Sequence, residues 1–463
     1  PPELDNSHTF RNRPEECNNR HTPNFLGNDY MTQRFLLFCS SLALAGCGDS
    51  TPDVEATVAS QTTVFCGALI DGISNSPTID KTISIVGSRI VSITEGKPTS
   101  GDFLDLSEHT CLPGLIDTHT HIMDNAGDTV DLSVYYHRTP AEELEIAKEN
   151  AAVTLAAGFT TIRNLGAYGG WGAREARDAV NRGDFPGPRI QTSGFYLTIA
   201  GGGGDLVIPG YPEEDIPARI RLGVASGPDE FREKAQAAVD GGADVLKVLA
   251  SGAVLAFGGV PGAPEMTQEE LTAVVEVGHA AGIKITAHAH GAQSIKDAIR
   301  AGVDSIEHAS LADDEAIALA VEHNVAFSMD VYNGSYIATV GREEGWPEEF
   351  IRKNDETTEA QRQAFTKAHA AGVPIIFGTD AAVYPHGDNA LMFPIMVERG
   401  MTPMESIQAA TSVAAEFIGW ADDVGALVEG RYGDLIAVKG DPLEDISILQ
   451  KVDVVVKGGE RYQ

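Results

Sequence analysis

The sequence predicts an α/β fold: a (β/α)8 TIM barrel joined to a small β-sandwich domain that is built from both chain ends. From residue 114 onward, apolar β-type segments alternate with helix-type segments. Several helix-type segments end at a glycine just before the next apolar run, as in "AAGFTT" and "AAGVPII". The stretches before residue 112 and after residue 420 contain only short strands between turns. Eight alternating units favour a closed barrel over an open parallel sheet.

The first 60 residues are predicted to lie outside the folded domains. Residues 1–30 are polar and aperiodic, which indicates a non-native upstream segment. Residues 31–47 combine a short positive start, an apolar run and "LAGC", as in a bacterial lipoprotein signal peptide with lipidation at Cys47. Residues 48–60 form a polar linker. These features predict a lipid anchor on the periplasmic side of a bacterial cell envelope; a secreted or cytoplasmic location is the alternative.

Composition limits the partners of the chain. Its 463 residues carry 33 Lys and Arg against 67 Asp and Glu, a net charge of −34. A surface this acidic repels phosphate backbones, so we expect no nucleic-acid partner. Only Cys66 and Cys111 follow Cys47, which excludes a cysteine-rich zinc site. A bond between these two cysteines is left open, since an oxidising periplasm would permit it.

Two discontinuous segments form the predicted β-sandwich domain, residues 61–112 and 420–463. Each alternates short apolar runs with turn residues. The predicted barrel domain, residues 113–419, lies between them in the chain. The two chain ends are therefore expected to close beside each other, with the barrel inserted between them.

The barrel is predicted to contain eight strands and the helices that connect them. The strands are expected at 114–121, 160–166, 189–194, 244–250, 284–290, 305–310, 326–332 and 374–380. Helices are expected at 140–157, 228–241, 267–281, 291–302, 312–323, 355–371 and 401–418. Right-handed crossovers make the strands parallel, so their carboxyl ends meet at one mouth of the barrel. Two long loops beside that mouth, 196–226 and 333–354, are expected to carry substrate specificity, the second as a possible lid.

The first predicted strand ends in two histidines. In "GLIDTHTHI", His119 and His121 are two residues apart, so in a strand they project from the same face. Two imidazoles on one face can bind one metal ion. This spacing alone favours structural histidines beside a turn over a metal site.

Other strands place further chemically active side chains at the same mouth. Lys247 lies within the apolar run "DVLKVLA", where a bare ammonium is costly. The strand "KITAHAH" ends with His288 and His290 on one face, "SIEHAS" carries His308, and "PIIFGTD" ends in Asp380. Each residue alone has an ordinary structural explanation, such as snorkelling for the lysine. Their convergence at one barrel mouth predicts a metal site.

Taken together, these motifs resemble the amidohydrolase superfamily. The similarity covers "PGLIDTHTH", the buried lysine, "AHAHG", "IEHAS", "GTDAA" and the closing "EGRYGDLIAVKGDPLEDI", nearly continuously from residue 62 to 459. The closest resemblance is to its imidazolonepropionase-like and prolidase-like metal-dependent branch, which includes Xaa-Pro and Xaa-Arg dipeptidases and ochratoxin-type amidases. The resemblance implies a binuclear centre of two divalent metal ions, usually zinc. The implied ligands are His119, His121 and Asp380 for the first metal, His288 and His308 for the second, and Lys247, carboxylated by CO2, as the bridge.

The resemblance also implies an activity. The enzyme would cleave C–N amide bonds with a metal-activated hydroxide, as a prolidase-type dipeptidase or carboxypeptidase on Xaa-Pro, Xaa-Arg or N-acyl amino acids. Asp380 would accept the proton of the hydroxide and pass it to the leaving nitrogen. His290 would hydrogen-bond the developing oxyanion, with a structural role as the alternative. Tyr332 is a candidate substrate contact, with a packed rim aromatic as its alternative. A homo-oligomer is compatible with this family.

Two alternatives differ in chemistry. The first is a cyclic-amide hydrolase or deaminase, which often uses one metal and lacks the bridging lysine. The second is a non-catalytic barrel scaffold, which would be expected to lose metal ligands. The chain also departs from the branch at Asn164, where an acid is expected, and at Gly201–Gly204, where a histidine is expected. Both departures concern the substrate rather than the metal site.

Overall fold

The computed structural model describes residues 60–463. The predicted upstream segment, the signal peptide with Cys47 and residues 48–59 of the linker lie outside the described residues. Within residues 60–463, every helix is too short or too polar to cross a membrane.

The strands and helices follow one another in a regular order. The strands are β1 (Gln61–Leu69), β2 (Thr78–Val86), β3 (Arg89–Glu95), β4 (Leu104–Pro113), β5 (Leu115–Thr120), β6 (Phe159–Asn164), β7 (Arg189–Thr192), β8 (Val245–Leu249), β9 (Lys284–Gly291), β10 (Ser305–Leu311), β11 (Ala326–Ser328), β12 (Ile375–Ile376), β13 (Leu435–Lys439), β14 (Val454–Lys457) and β15 (Glu460–Arg461). The α-helices are α1 (Val134–His137), α2 (Pro140–Ala156), α3 (Gly172–Arg182), α4 (Gly227–Asp240), α5 (Gln268–Ala280), α6 (Ala292–Ala301), α7 (Asp314–His323), α8 (Asn333–Tyr336), α9 (Arg342–Glu344), α10 (Glu348–Ala371), α11 (Phe393–Glu398), α12 (Pro403–Ala409) and α13 (Ser412–Phe417).

Strands from both chain ends form one seven-stranded sheet, in the order β15-β14-β13-β4-β1-β2-β3. The β1–β4 pair is parallel and the other pairs are antiparallel. Ile90 on β3 and Val456 on β14 belong to one buried apolar cluster although they lie near opposite ends of this order. The sheet therefore curls around a shared core. Cys66 and Cys111 form a disulfide between β1 and β4, which answers the question that the sequence left open.

Eight parallel strands, β5 to β12, form the barrel. Three of them pair in the order β5-β6-β7 and five in the order β12-β11-β10-β9-β8. Single parallel bridges join the two sheets at both edges, Leu197 to Val248 and Thr120 to Ala381. Hydrogen bonds reinforce these joins, including the one from the Thr118 amide to the Phe377 carbonyl at 2.8 Å. The predicted α/β barrel with a β-domain from both ends is therefore confirmed.

The last two barrel strands are shorter than predicted. β11 stops at Ser328 rather than 332, and β12 contains only Ile375 and Ile376 rather than 374–380. After β12 the chain packs closely against its neighbours: a Cβ on Gly378 would lie 2.0 Å from Ser328 Oγ and 3.0 Å from His119 Cβ. A glycine is therefore required where the chain turns from β12 to Asp380.

Most helices begin and end within two residues of their predicted bounds, with three differences. Helices α1, α3 and α11 were not predicted. The predicted helix at 401–418 is broken into α12 and α13, because Thr411 has a non-helical backbone (φ −139°, ψ −100°). The segment 333–354, predicted as a loop, is largely helical, and α10 begins at Glu348 rather than 355. That long helix reaches across the barrel mouth.

Candidate active site

Strands β5 and β12 bring two histidines and an aspartate together. His119 and His121 lie at the end of β5, and Asp380 follows β12. The Nε2 atoms of His119 and His121 lie 3.4 and 3.0 Å from Asp380 Oδ1. The Asp380 amide donates a 2.7 Å hydrogen bond to the His119 carbonyl, which fixes the two strand ends relative to each other. The predicted first ligand set is therefore assembled in one place.

A second group comes from β9 and β10. The ring centroids of His288, His290 and His308 lie 4.6 to 4.7 Å from one another. These three histidines are close enough to share one metal ion, and His308 is also close enough to share one with His119 and Asp380. His308 therefore connects the two groups, where the sequence assigned it to one metal only. His290, predicted as an oxyanion donor, stacks on His308, and its Nδ1 contacts Ser310 Oγ at 2.8 Å.

Lys247 projects from β8 into the same region. It is 2% exposed, and among the described residues its Nζ has no hydrogen-bond partner. Burial lowers the pKa of the Lys247 amine to about 8. A buried cationic amine without a partner is unstable, so this position favours either a neutral amine or a chemically modified one.

Two carboxylates that the sequence analysis missed hold the outer nitrogens of the histidines. Glu307 Oε2 lies 2.9 Å from His119 Nδ1, and Asp330 Oδ1 lies 2.9 Å from His308 Nδ1. Such contacts fix the orientation of a metal-binding imidazole and leave Nε2 facing the ligand. Glu307 is itself paired at 2.8 Å with the fully buried Arg163. The available sequence signal for Glu307 was its position directly before His308 in "SIEHAS". Its role could not be predicted from that position, because the role depends on contacts with two other strands.

Asp330 is fixed by donors from the helical segment above the mouth. Asn333 Nδ2 donates to Asp330 Oδ2 at 2.6 Å, and Gln361 Nε2 of α10 donates to Asp330 Oδ1 at 2.6 Å. Asn333 Nδ2 also lies 3.4 Å from Asp380 Oδ2. The helices that replace the predicted 333–354 loop therefore position the carboxylates of the site.

Burial keeps the imidazoles of His119, His288 and His290 neutral, whereas Asp380 and Asp330, against the effect of burial, raise the pKa values of His121 and His308. Burial lowers the pKa of His119 to about 4 and that of His290 to about 3, and it holds the pKa of His288 well below its ordinary value. Although burial opposes it, the adjacent His119 and His121 hold the pKa of Asp380 well below its usual range. Neutral imidazole and ionised carboxylate are the forms that bind a metal ion.

Two residues of the cluster have backbone conformations that side chains disfavour. His308 has φ 72° and Asp380 has φ 58°. The left-handed region costs a non-glycine residue energy, and such residues concentrate at functional sites. The surrounding contacts therefore impose these orientations.

The cluster lies at the bottom of a cavity of about 160 Å³. Apolar side chains from several loops form part of its wall, among them Leu132, Leu255, Ile337 and Val383. Gly203 of the four-glycine run lines the cavity, as expected of a substrate loop. Asn164 does not line it; its Oδ1 accepts a 2.7 Å hydrogen bond from the Ile122 amide. Tyr332 also lies outside the lining, with its ring packed against Tyr384 at 4.9 Å.

A barrel that gathers histidines, an aspartate and a buried lysine at its strand ends has the architecture of hydrolases that act on C–N bonds. The amidohydrolase family model matches residues 110–461. Ochratoxinase from Aspergillus niger is 31% identical over 441 residues, covering 89% of this chain and 88% of that protein. This chain belongs to the amidohydrolase family, whose members generally use divalent metal ions.

Solved structures show the same relationship. A Xaa-Pro dipeptidase crystallised with methionine in its active site is 37% identical, with a TM-score of 0.81, covering 87% of this chain and 100% of that one. A prolidase in complex with N-methylphosphonate-L-proline is 28% identical, with a TM-score of 0.80, covering 87% and 99%. The chain is accordingly a hydrolase of carbon–nitrogen bonds.

Replacing Asp330 by asparagine is expected to lower kcat/KM and metal affinity by roughly 10- to 100-fold, the usual effect of losing a carboxylate that orients a metal-binding histidine. The amide keeps the size of the side chain but loses the negative charge beside His308. Kinetics and metal titration measure the two effects. Asp314→Asn, which replaces an exposed carboxylate on α7, serves as the control. Values within twofold of wild type would show that Asp330 does not orient His308.

Proposed function

We propose that the chain is a binuclear metal-dependent amidohydrolase that cleaves the amide bond of dipeptides or N-acyl amino acids, as a prolidase-type enzyme does. One observation carries the proposal: two ligand groups meet at His308 and line one cavity with Lys247, whose Nζ has no hydrogen-bond partner within residues 60–463. Separate single-metal sites would not need a buried lysine between the histidines.

The residues present fit two divalent ions, and zinc suits imidazole and carboxylate ligands. His119, His121 and Asp380 would hold one ion. His288 and His308 would hold the other, with His290 beside them as an oxyanion donor. The burial of His119 and His288 favours the neutral form that ligation needs. The two ions would supply Lewis acidity, which activates water and polarises the scissile carbonyl.

Carboxylation would make Lys247 the bridging ligand. Burial gives its amine a pKa of about 8, so a sizeable neutral fraction is present near neutral pH. The neutral nitrogen would attack CO2, form a new N–C bond and lose one proton, which leaves an anionic carbamate. This exchanges a costly buried cation for an anion with two oxygen donors.

The protein residues would move one proton and stabilise one charge. Asp380, ionised and adjacent to His119 and His121, would take the proton of the attacking water and return it to the leaving nitrogen. His290 would donate a hydrogen bond to the oxygen of the tetrahedral intermediate. Glu307 and Asp330 would keep His119 and His308 in position throughout.

The relatives support an amide substrate. They include a Xaa-Pro dipeptidase, a prolidase and ochratoxinase. The complete ligand set argues against a scaffold, and Lys247 argues against a single-metal cyclic-amide hydrolase or deaminase. An apolar wall beside the metal residues suits a hydrophobic acyl or side-chain group.

The test is to express the chain from residue 48 and to measure bound metal together with hydrolysis of Xaa-Pro, Xaa-Arg and N-acyl amino-acid panels. About two metal ions per chain and cleavage of one panel are expected. Two ions without cleavage would reject the substrate class but retain the site. A folded chain without metal would reject the proposal.

A further inference from the structure

One wall of the cavity carries a buried carboxylate, that of Asp124, which takes no part in the proposed reaction. Asp124, in the turn after β5, is 7% exposed and lines the cavity together with Tyr135 and Tyr168. Within residues 60–463 its carboxylate receives no hydrogen bond, and the nearest cationic atom is Arg138 Nη1 at 4.0 Å. A buried carboxylate that faces a cavity without a donor is an incomplete ion pair.

The neighbouring charges only partly offset that of Asp124: His121 and Arg138 both act to lower its pKa, but Arg138 is shared with Asp128. Arg138 Nη2 forms a short ion pair with Asp128. Arg219 contacts Glu143 at 3.3 Å and donates to the carbonyls of Tyr135 and Arg138. Three carboxylates therefore share two guanidinium groups, and the 4.0 Å contact from Arg138 Nη1 to Asp124 is too long to be a hydrogen bond. Burial raises the pKa of Asp124 to about 7, although His121 and Arg138 oppose the rise.

A row of tyrosine rings connects this carboxylate to the metal residues. The centroid of Tyr135 lies 5.0 Å from that of Tyr168, Tyr168 lies 5.3 Å from Tyr196, and Tyr196 lies 5.9 Å from His121. All of these side chains line the cavity. Aromatic faces beside a carboxylate attract a cation through both charge and the ring quadrupole. A ligand extending from the metal residues along this wall would bring a cationic group to Asp124.

We propose that Asp124, Tyr135 and Tyr168 form a subsite for a cationic group of the substrate, an ammonium or a guanidinium. The subsite rests on the proposed function and restricts the substrates to those that carry a cationic group. The cation has two possible sources: the α-ammonium of a dipeptide, or the side chain of a lysine or arginine residue. In either case the missing charge of the ion pair is supplied by the ligand.

The test compares two pairs of compounds whose members differ in one charge. Ala-Pro against N-acetyl-Ala-Pro tests the α-ammonium, and Ala-Arg against Ala-citrulline tests the side chain. With zinc-loaded enzyme, the charged member of at least one pair is expected to have a kcat/KM higher by about tenfold or more, as for a hydrogen bond to a charged group. Compounds that are not cleaved are compared by dissociation constants from calorimetry.

The variants assign the preference to one carboxylate. Asp124→Asn is expected to reduce the ratio within a pair to less than about twofold, with Asp124→Ser as a second variant if the first does not fold. Glu213→Gln removes an exposed carboxylate that lies outside the cavity lining, so it should keep the ratio. Thermal unfolding and zinc content check that each variant is intact.

The outcomes separate the subsite from the proposed function. The subsite is overturned, even if peptides are cleaved, if the wild type has the same kcat/KM for the charged and uncharged member of each pair. It is also overturned if the ratio within a pair is unchanged in Asp124→Asn. Charge-dependent binding that needs Asp124, without cleavage of any peptide, supports the subsite and rejects the proposed function. The pair that shows the preference identifies the source of the cation.

Discussion

Replacing Lys247 by methionine is expected to remove bound metal and to lower kcat/KM by about four orders of magnitude, while the fold is retained. The activity falls because the metal centre supplies several kcal/mol of transition-state stabilisation, and each 1.36 kcal/mol is about a tenfold rate change. Methionine is close to lysine in length and suits the apolar strand β8. Since Lys247 Nζ has no hydrogen-bond partner among the described residues, its removal breaks no bond there.

A second buried lysine offers a matched control. Lys353 on α10 is equally buried, but its Nζ donates to the Ala256 carbonyl at 2.6 Å and pairs with Glu349 at 2.8 Å. Lys353→Met should therefore lower the free energy of unfolding by about 1–3 kcal/mol and keep the metal. Lys247→Met should lose the metal and keep the free energy of unfolding close to that of the wild type. Denaturant unfolding and elemental analysis measure both effects. Two metal ions per chain in Lys247→Met, with activity within tenfold of wild type, would contradict the bridging role.

Chemical rescue distinguishes a bridging carbamate from a plain amine. Lys247→Ala leaves space beside the histidines that a short carboxylate such as propionate can occupy. If the bridge is a carboxylate, propionate should restore part of the metal content and activity, and propylamine should not. Rescue by the amine instead would show that the unmodified lysine is the functional form.

The positions of the metal-site residues could be predicted because they follow from two regular features. Alternation along a strand places His119 beside His121 and His288 beside His290. Parallel strands then bring all eight carboxyl ends to one mouth, where Lys247 and Asp380 also lie. Neither step needs side-chain packing. The sequence therefore predicted which residues converge, and the structure adds that His308 connects the two groups.

The supporting residues could not be predicted in the same way, because their roles depend on contacts between distant segments. Glu307 meets His119 across the barrel and is held by Arg163 from a third strand. Nothing in "TTIRN" distinguishes Arg163 from an exposed arginine. Asp330 depends on Gln361, which lies on a helix whose first turns had been predicted as loop. Tyr332 follows a strand end like the histidines do, but its ring packs on Tyr384 instead of facing the cavity.

Asp380→Asn is expected to lower kcat by about three orders of magnitude, within the range known for general acid–base groups, with KM changed only a fewfold. Asparagine has nearly the same shape and keeps an oxygen that can face the metal residues, so substrate binding should persist. It cannot accept a proton. The nearby histidines keep Asp380 ionised in the wild type despite its burial, so the carboxylate is ready to accept one at neutral pH.

The separation of kcat from KM is the informative result. Because Asp380 is also a proposed metal ligand, kinetics are measured with excess zinc. A residue that acted only as a ligand would regain its activity once the metal content is restored, whereas the loss of a proton carrier leaves kcat low in the fully loaded enzyme. Asp388→Asn serves as the control, because Asp388 follows the same strand but lies outside the cavity lining and makes no capping hydrogen bond; its kinetics should match the wild type. A loss in kcat of less than about tenfold in Asp380→Asn would fall below the range for general acid–base groups. Another cavity group would then have to carry the proton. His290 is the best candidate, because burial keeps its imidazole neutral and therefore able to accept a proton.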